Sequence, residues 1–149
     1  MSLNEAVDVM SDIPLFHNVD PKRLKLFAFM GEALSYRPGE RLFEKGDEGD
    51  SAYIILSGEV DVLVPAGSGE ASVAVLGAKQ IFGEMAVLTD QPRTTAIAAK
   101  SELRVLRLKR KAILDLLHEF PDIALEFVRV LAERLERTTR ELAEARASS

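Results

Sequence analysis

Phe82-Gly83-Glu84-Met85-Ala86-Val87-Leu88-Thr89-Asp90-Gln91-Pro92-Arg93-Thr94-Thr95-Ala96 interrupts a chain that otherwise alternates like a β-protein. A β-rich domain turns between strands in a few residues, so an interruption of this length calls for a reason. Gly83 permits a close approach of backbone to a ligand. Glu84 to Leu88 has the length of one helical turn, and a helix starting at Gly83 aims free backbone N–H groups at one point. The N–H groups of Met85 and Ala86 belong to that first turn. Pro92 returns the chain and delivers Arg93, a cation set among apolar and small residues. Thr94 and Thr95 add hydroxyl donors beside it.

Backbone donors, a guanidinium and hydroxyls are what a phosphate requires. A carboxylate among them repels a phosphate unless it faces another part of the ligand, and Glu84 does so by accepting from a sugar hydroxyl. A cyclic nucleotide holds a phosphate and a free hydroxyl rigidly together and meets both demands. The structural alternative is a capped loop closed by a Glu84–Arg93 ion pair.

Outward from this stretch the pattern is that of many short strands. Arg41–Glu44 is bounded by Pro38-Gly39 and Gly46, and Tyr53–Leu56 and Glu59–Val64 flank the tight turn Ser57-Gly58. Pro65–Glu70 reads as a polar loop, Ala71–Leu76 alternates, Gln80–Phe82 is brief, and Thr95–Ala99 and Leu103–Leu108 resume the extended pattern. Short strands separated by glycine turns predict an antiparallel sandwich or jelly roll. The fold class expected is mainly β with flanking helices: an antiparallel β jelly roll over about 31–109, with C-terminal helices over about 111–147. Residues 1–149 form a single domain on this reading, a size sufficient for its own core.

Helices flank the roll. Leu3 to Met10 has weak helical character. Asp20-Pro21 reads as an N-cap followed by proline at the first helical position, and the helix it opens carries Leu24, Phe27 and Ala28 on one face. Lys111–Glu119 is helical, Phe120-Pro121-Asp122 breaks it, and a long helix runs from about Asp122 to Ala147. Along that helix Ala124, Val128, Leu131, Leu135, Thr138, Leu142 and Ala145 alternate spacings of four and three, the seam of a coiled-coil homodimer. The alternative is packing of this stripe on the chain's own sheet, although Ile123, Phe127 and Val130 supply a second apolar face for that purpose. Glu133–Arg137 and Glu136–Arg140 read as ion pairs of a solvated face.

The stretch Phe82–Leu88, followed by Pro92-Arg93-Thr94-Thr95-Ala96, resembles the phosphate-binding cassette of the cyclic-nucleotide-binding domain family. That family includes bacterial cyclic-AMP receptor proteins, regulatory subunits of cyclic-nucleotide-dependent kinases and cyclic-nucleotide-gated channels. Gly46-Asp47-Glu48-Gly49-Asp50-Ser51-Ala52-Tyr53-Ile54-Ile55-Leu56-Ser57-Gly58 resembles the turn-and-hairpin signature upstream, and the likeness runs from about Ile13 to the last helix. The resemblance implies that Glu84 accepts from the ribose 2′-hydroxyl and Arg93 pairs with the cyclic phosphate. Gly83, the N–H groups of Met85 and Ala86, and Thr94 complete the cradle, with Thr95 beside it. Val62 and Val73 lie where the family's strands wall the base. Thr138 and Thr139 align with a hydroxyl pair that touches the adenine amino group across the dimer. The ligand implied is cyclic AMP, with cyclic GMP left open because Thr94 does not settle the base.

With 47% hydrophobic and 29% charged residues the composition is that of an ordinary globular protein, and a formal net charge of −5 argues against general nucleic-acid binding. No cysteine is present, which removes disulfides, thiolate catalysis and cysteine-built zinc sites. His17 and His118 have no metal-ligand spacing, Asp47, Glu48 and Asp50 lack the pattern of a calcium loop, and Gly67-Ser68-Gly69-Glu70 lacks the lysine of a triphosphate loop. No apolar run reaches the length of a membrane span, and Met-Ser-Leu-Asn-Glu lacks the features of a secretory signal, so a cytoplasmic setting is expected. The function expected is therefore that of a regulatory sensor acting through an effector protein, without catalytic residues, cofactor or metal. The alternatives are a scaffold with a vestigial pocket and the sensor fragment of a larger transcription regulator. The fading of Arg137–Ser149 into small and polar residues favours a stand-alone chain.

Overall fold

The computed structural model describes residues 3–148; Met1, Ser2 and Ser149, the ends of the expected single domain, lie outside the described residues. Among the described residues, eight strands form two antiparallel four-stranded sheets. One has the order β1 (Glu32–Tyr36), β8 (Leu103–Lys109), β3 (Ser51–Ser57), β6 (Ile81–Phe82). The other has the order β2 (Arg41–Phe43), β7 (Ala96–Ala99), β4 (Val60–Ala66), β5 (Gly69–Leu76). The expected β-roll is present, an antiparallel sandwich with helices before and after it.

β3 shows why the alternation of its sequence is faint. Residues 51–56 are all buried, because one face of the strand meets the opposite sheet and the other meets helices. Tyr53 and Ile55 join Val60, Phe82, Ile97, Ala99, Leu103 and Val105 between the sheets. Ala52, Ile54 and Leu56 point the other way, into a second core. That core is closed by α1 (Leu3–Ser11), a 3₁₀ turn at Pro14–Phe16, α2 (Pro21–Met30), α4 (Arg110–Glu119) and the first turn of α5 (Pro121–Ser148). Each large side chain buried in this way contributes about 1.5–3 kcal/mol. The α2 start is as expected: Asp20 accepts from the Lys22 N–H at 2.9 Å, and Leu24, Phe27 and Ala28 are the buried face.

One expectation fails. Residues 65–70 are not a loop: β4 continues through Ala66 and β5 begins at Gly69, with Pro65 opposite Glu70. Gly67 takes a φ of 56°, so a turn of only Gly67-Ser68 closes the hairpin. Pro65 is tolerated because β7 pairs only with Val60–Leu63 of β4, and its missing N–H breaks no bond on that side.

Two glycines fix the chain path by close backbone packing. Gly58 turns β3 into β4 at a φ of 90°, and a Cβ there would sit 2.1 Å from the Glu102 carbonyl oxygen. Gly49 packs so close to α3 (Glu84–Thr89) that a Cβ would meet that of Ala86 at 2.3 Å. Gly58→Ala is therefore expected to lower unfolding stability by about 1–3 kcal/mol or more in a urea titration, since both backbone strain and the clash act on one turn. Gly39→Ala is strained by its own positive φ, but nothing lies within 4 Å of the added methyl, so it is expected to cost less.

Candidate functional site

Gly83 ends β6 and begins α3 in the left-handed region, with φ 82°. Its Cβ would lie 2.7 Å from Nη1 of Arg93 and 3.2 Å from the Ser51 carbonyl oxygen, so the glycine makes room for the arginine. Asp90 closes α3, also at positive φ, and pairs with Arg110 at 2.9 Å. The chain then passes Pro92 to Arg93, whose backbone is held twice by the Gly46 turn. The Arg93 N–H donates to the Asp47 carbonyl at 2.8 Å, and the Gly46 N–H donates to the Arg93 carbonyl at 2.8 Å. The two motifs, separate in sequence, are thus one piece of structure. Arg110 secures the far side of the turn by donating to the Gly49 carbonyl at 2.8 Å.

Arg93 is only 4% exposed. Its Nη1 donates to the Gly83 carbonyl at 2.9 Å and its Nη2 to the Ser51 carbonyl at 2.6 Å. The guanidinium lies over the Phe43 ring, 4.0 Å from the centroid, within a cluster formed with Tyr53 and Phe82. Asp50 approaches only to 3.9 Å and is itself mostly engaged by Arg107 at 3.3 Å. Burial pulls the Arg93 pKa below its ordinary value, opposed by Tyr53 and Asp50. The group remains a cation at neutral pH, because a guanidinium starts from so high a value. Its Nε is buried and has no hydrogen-bond partner among the described residues. A buried cation without a full counter-charge and with a spare donor favours an anion.

Glu84 is equally buried, 6% exposed, but does not pair with Arg93. Its Oε1 accepts from Nη1 of Arg134, on α5, at 3.2 Å. The expected alternative of a Glu84–Arg93 ion pair is therefore replaced by a contact between the cassette and the long helix. Arg134 was hidden in the sequence because it sits among the alternating charges of α5. The expected Glu133–Arg137 pair is also absent: Glu133 accepts from Arg129 at 2.6 Å, whereas Glu136 does pair with Arg140 at 3.2 Å.

These groups line a cavity of about 910 Å³, toward the upper end of small-molecule sites. Gly83, Glu84, Met85, Ala86, Arg93, Thr94 and Thr95 all border it, as does Val62. Phe43, Leu76 and Ile97 supply further apolar wall, and Phe127, Val130, Leu131, Arg134 and Arg137 of α5 cover it. Val73 lies exposed on β5 outside the lining, and Thr138 and Thr139 lie on the exposed length of α5, also outside it. The Thr138 hydroxyl donates back to the Arg134 carbonyl at 2.9 Å. The seam expected on α5 is divided: Leu131 turns to the cavity, while Leu125, Val128, Leu135 and Leu142 are all more than half exposed. Among the described residues, no group of three His, Cys, Asp or Glu residues stands ready to hold a metal, and no helix is long and apolar enough to cross a membrane.

Comparison with known proteins agrees with this fold. The family model for the cyclic nucleotide-binding domain matches residues 33–120. The chain is 29% identical over 138 residues to the "CRP-like cAMP-activated global transcriptional regulator" of Mycobacterium tuberculosis, covering 92% of this chain and 62% of that protein. It is 34% identical over 110 residues to a cAMP-dependent protein kinase regulatory subunit of Colletotrichum orbiculare, covering 74% of this chain and 28% of that one. The crystal structure of the Thermus thermophilus catabolite activator protein superposes with a TM-score of 0.79 at 32% identity, over 87% of this chain and 61% of that chain. The chain thus spans about three-fifths of the bacterial regulators it matches.

The fit of Gly83 against Arg93 gives a direct expectation. Gly83→Ala places a methyl on the guanidinium at a strained φ and is expected to lower the melting temperature by about 3–10 °C in a thermal unfolding scan, on a cost of about 1–3 kcal/mol. An unchanged melting temperature would mean that Arg93 is not held where the structure has it.

Proposed function

The chain belongs to the cyclic nucleotide-binding domain family, and we propose that it is a regulatory sensor whose ligand is a cyclic nucleotide, cyclic AMP first and cyclic GMP second. The observation that carries this reading is the buried Arg93, with its unpartnered Nε, in the same cavity as the buried Glu84. On this reading the cyclic phosphate takes the Arg93 guanidinium and the N–H groups of Met85 and Ala86, with Thr94 and Thr95 alongside. The ribose 2′-hydroxyl donates to Glu84. Val62, Leu76 and Ile97 bound the base. The preference for cyclic AMP rests on the relatives, whose names tie them to that nucleotide.

Binding is coupled to α5 by the same contacts. A ligand shifts an equilibrium only by its differential affinity for two states. Here the sugar competes with Arg134 for Glu84, so the occupied and empty cavities favour different positions of the helix. The exposed stripe Leu125, Val128, Leu135 and Leu142 suits a parallel homodimer, and Thr138 and Thr139 reach the base only with the partner helix in place. The dimer passes the signal to an effector protein in the cytoplasm, with no direct part for nucleic acid or membrane in the described residues.

Titration calorimetry with cyclic AMP and cyclic GMP tests the ligand. Arg93→Ala should weaken binding about 10- to 150-fold, the loss of a charge-assisted hydrogen bond worth about 1.5–3 kcal/mol. No heat and no melting shift with either nucleotide at millimolar concentration would contradict the reading. For the dimer, Leu135→Glu should turn a two-chain species into a one-chain species in sedimentation velocity. A wild-type chain that sediments as a monomer would remove that part of the proposal.

A further inference from the structure

Four cations, Lys79, Arg93, Arg134 and Arg137, line the cavity against the single carboxylate of Glu84, in a chain whose net charge is −5. Three of the four are accounted for. Lys79 is neutralised from outside the cavity by Asp12 at 3.0 Å, Arg134 by Glu84 at 3.2 Å, and Arg93 holds two carbonyls. Arg137 alone among them has no hydrogen bond or ion pair within the described residues. The carboxylate one turn before it is taken, since Glu133 accepts from Arg129, and Glu141 one turn after it makes no ion pair with it.

Resting on the nucleotide reading above, we infer that Arg137 reads the edge of the base and is the residue that keeps guanine competitive with adenine in this cavity. Arg134 and Arg137 are three residues apart on one face of α5, about 4.5 Å along its axis. With the phosphate on Arg93 and the sugar on Glu84 beside Arg134, the base extends between the strand wall of Val62 and Leu76 and the next turn of the helix. The cation on that turn is Arg137. A guanidinium offers donors only. Guanine presents the adjacent acceptors O6 and N7, which two of those donors match, whereas adenine presents N7 beside a donating amino group. Arg137 therefore makes two bonds to guanine and one to adenine. A glutamine in its place presents one donor and one acceptor, the match for adenine.

The test is the ratio of dissociation constants for cyclic AMP and cyclic GMP, measured by calorimetry on the full chain and on Arg137→Gln. The substitution is at an exposed position, and an unchanged melting temperature will confirm folding. Loss of the bidentate contact predicts that Arg137→Gln shifts the ratio toward cyclic AMP by about 5- to 150-fold. Arg140→Gln removes the same charge one turn away from the cavity and is expected to leave the ratio unchanged. Equal weakening of both nucleotides by Arg137→Gln would reduce Arg137 to a general charge or a dimer contact and overturn the inference, and no change would overturn it too. If the wild-type chain binds neither nucleotide, the functional reading itself fails; if it binds and the ratio stays fixed, only the role of Arg137 does.

Discussion

Holding one guanidinium in a nearly dry place is the constraint on which the rest of the site depends. A buried ion carries an effective penalty of several kcal/mol unless its surroundings replace the water it has lost. For Arg93 the replacements are two backbone carbonyls and the face of Phe43, with Asp50 standing off at 3.9 Å. The glycine at 83 exists to let that guanidinium reach the Gly83 carbonyl. The Gly46 turn exists, in the same sense, to clamp the Arg93 backbone, and Gly49 lets that turn sit on α3. Phe43 of one sheet packs on Tyr53 and Phe82 of the other, with centroids 6.0 and 6.2 Å apart, and ties the platform beneath to both sheets. Gly46 and Gly83 both take the left-handed φ that glycine adopts freely, and both turns serve that one charge.

The second consequence concerns α5. A helix that only filled the core would have stopped after its first turns, where Ile123 is buried and Phe127 half-buried. Instead it continues over the cavity, closing it with Val130 and Leu131 and reaching Glu84 through Arg134. Beyond Leu131 every described residue of the helix is exposed. The cavity is therefore bounded on one side by an element that has little else to hold it. The Glu84–Arg134 contact joins the cassette to that element.

Most of the fold was legible in the sequence because strand alternation, glycine turns and the Asp20-Pro21 helix start are local signals. The cassette was legible for the same reason: Gly83, Glu84 and Arg93 lie within eleven residues. Residues 65–70 are not legible as strand and turn because proline and glycine are loop-like in composition, whereas Gly67-Ser68 alone make the turn and Pro65 pairs with β5 while lying beyond the reach of β7. The site's wider membership was not legible. Nothing local distinguishes Arg134, which enters the cavity, from Arg129, which is spent on Glu126 and Glu133. Heptad arithmetic likewise could not tell that Leu131 turns inward while Val128 and Leu135 stay exposed, because the core that decides it is built from distant strands. Ser51 was unpredictable as well, since it contributes a carbonyl and any residue type could have done so.

The most direct test of the central claim is a crystal structure of the chain grown with cyclic AMP. The account predicts a cyclic phosphate oxygen within about 2.7–3.2 Å of the Arg93 guanidinium, filling the place of the missing partner at Nε, and the ribose 2′-hydroxyl on Glu84. A nucleotide bound elsewhere, or one in this cavity with its phosphate turned away from Arg93, would contradict it.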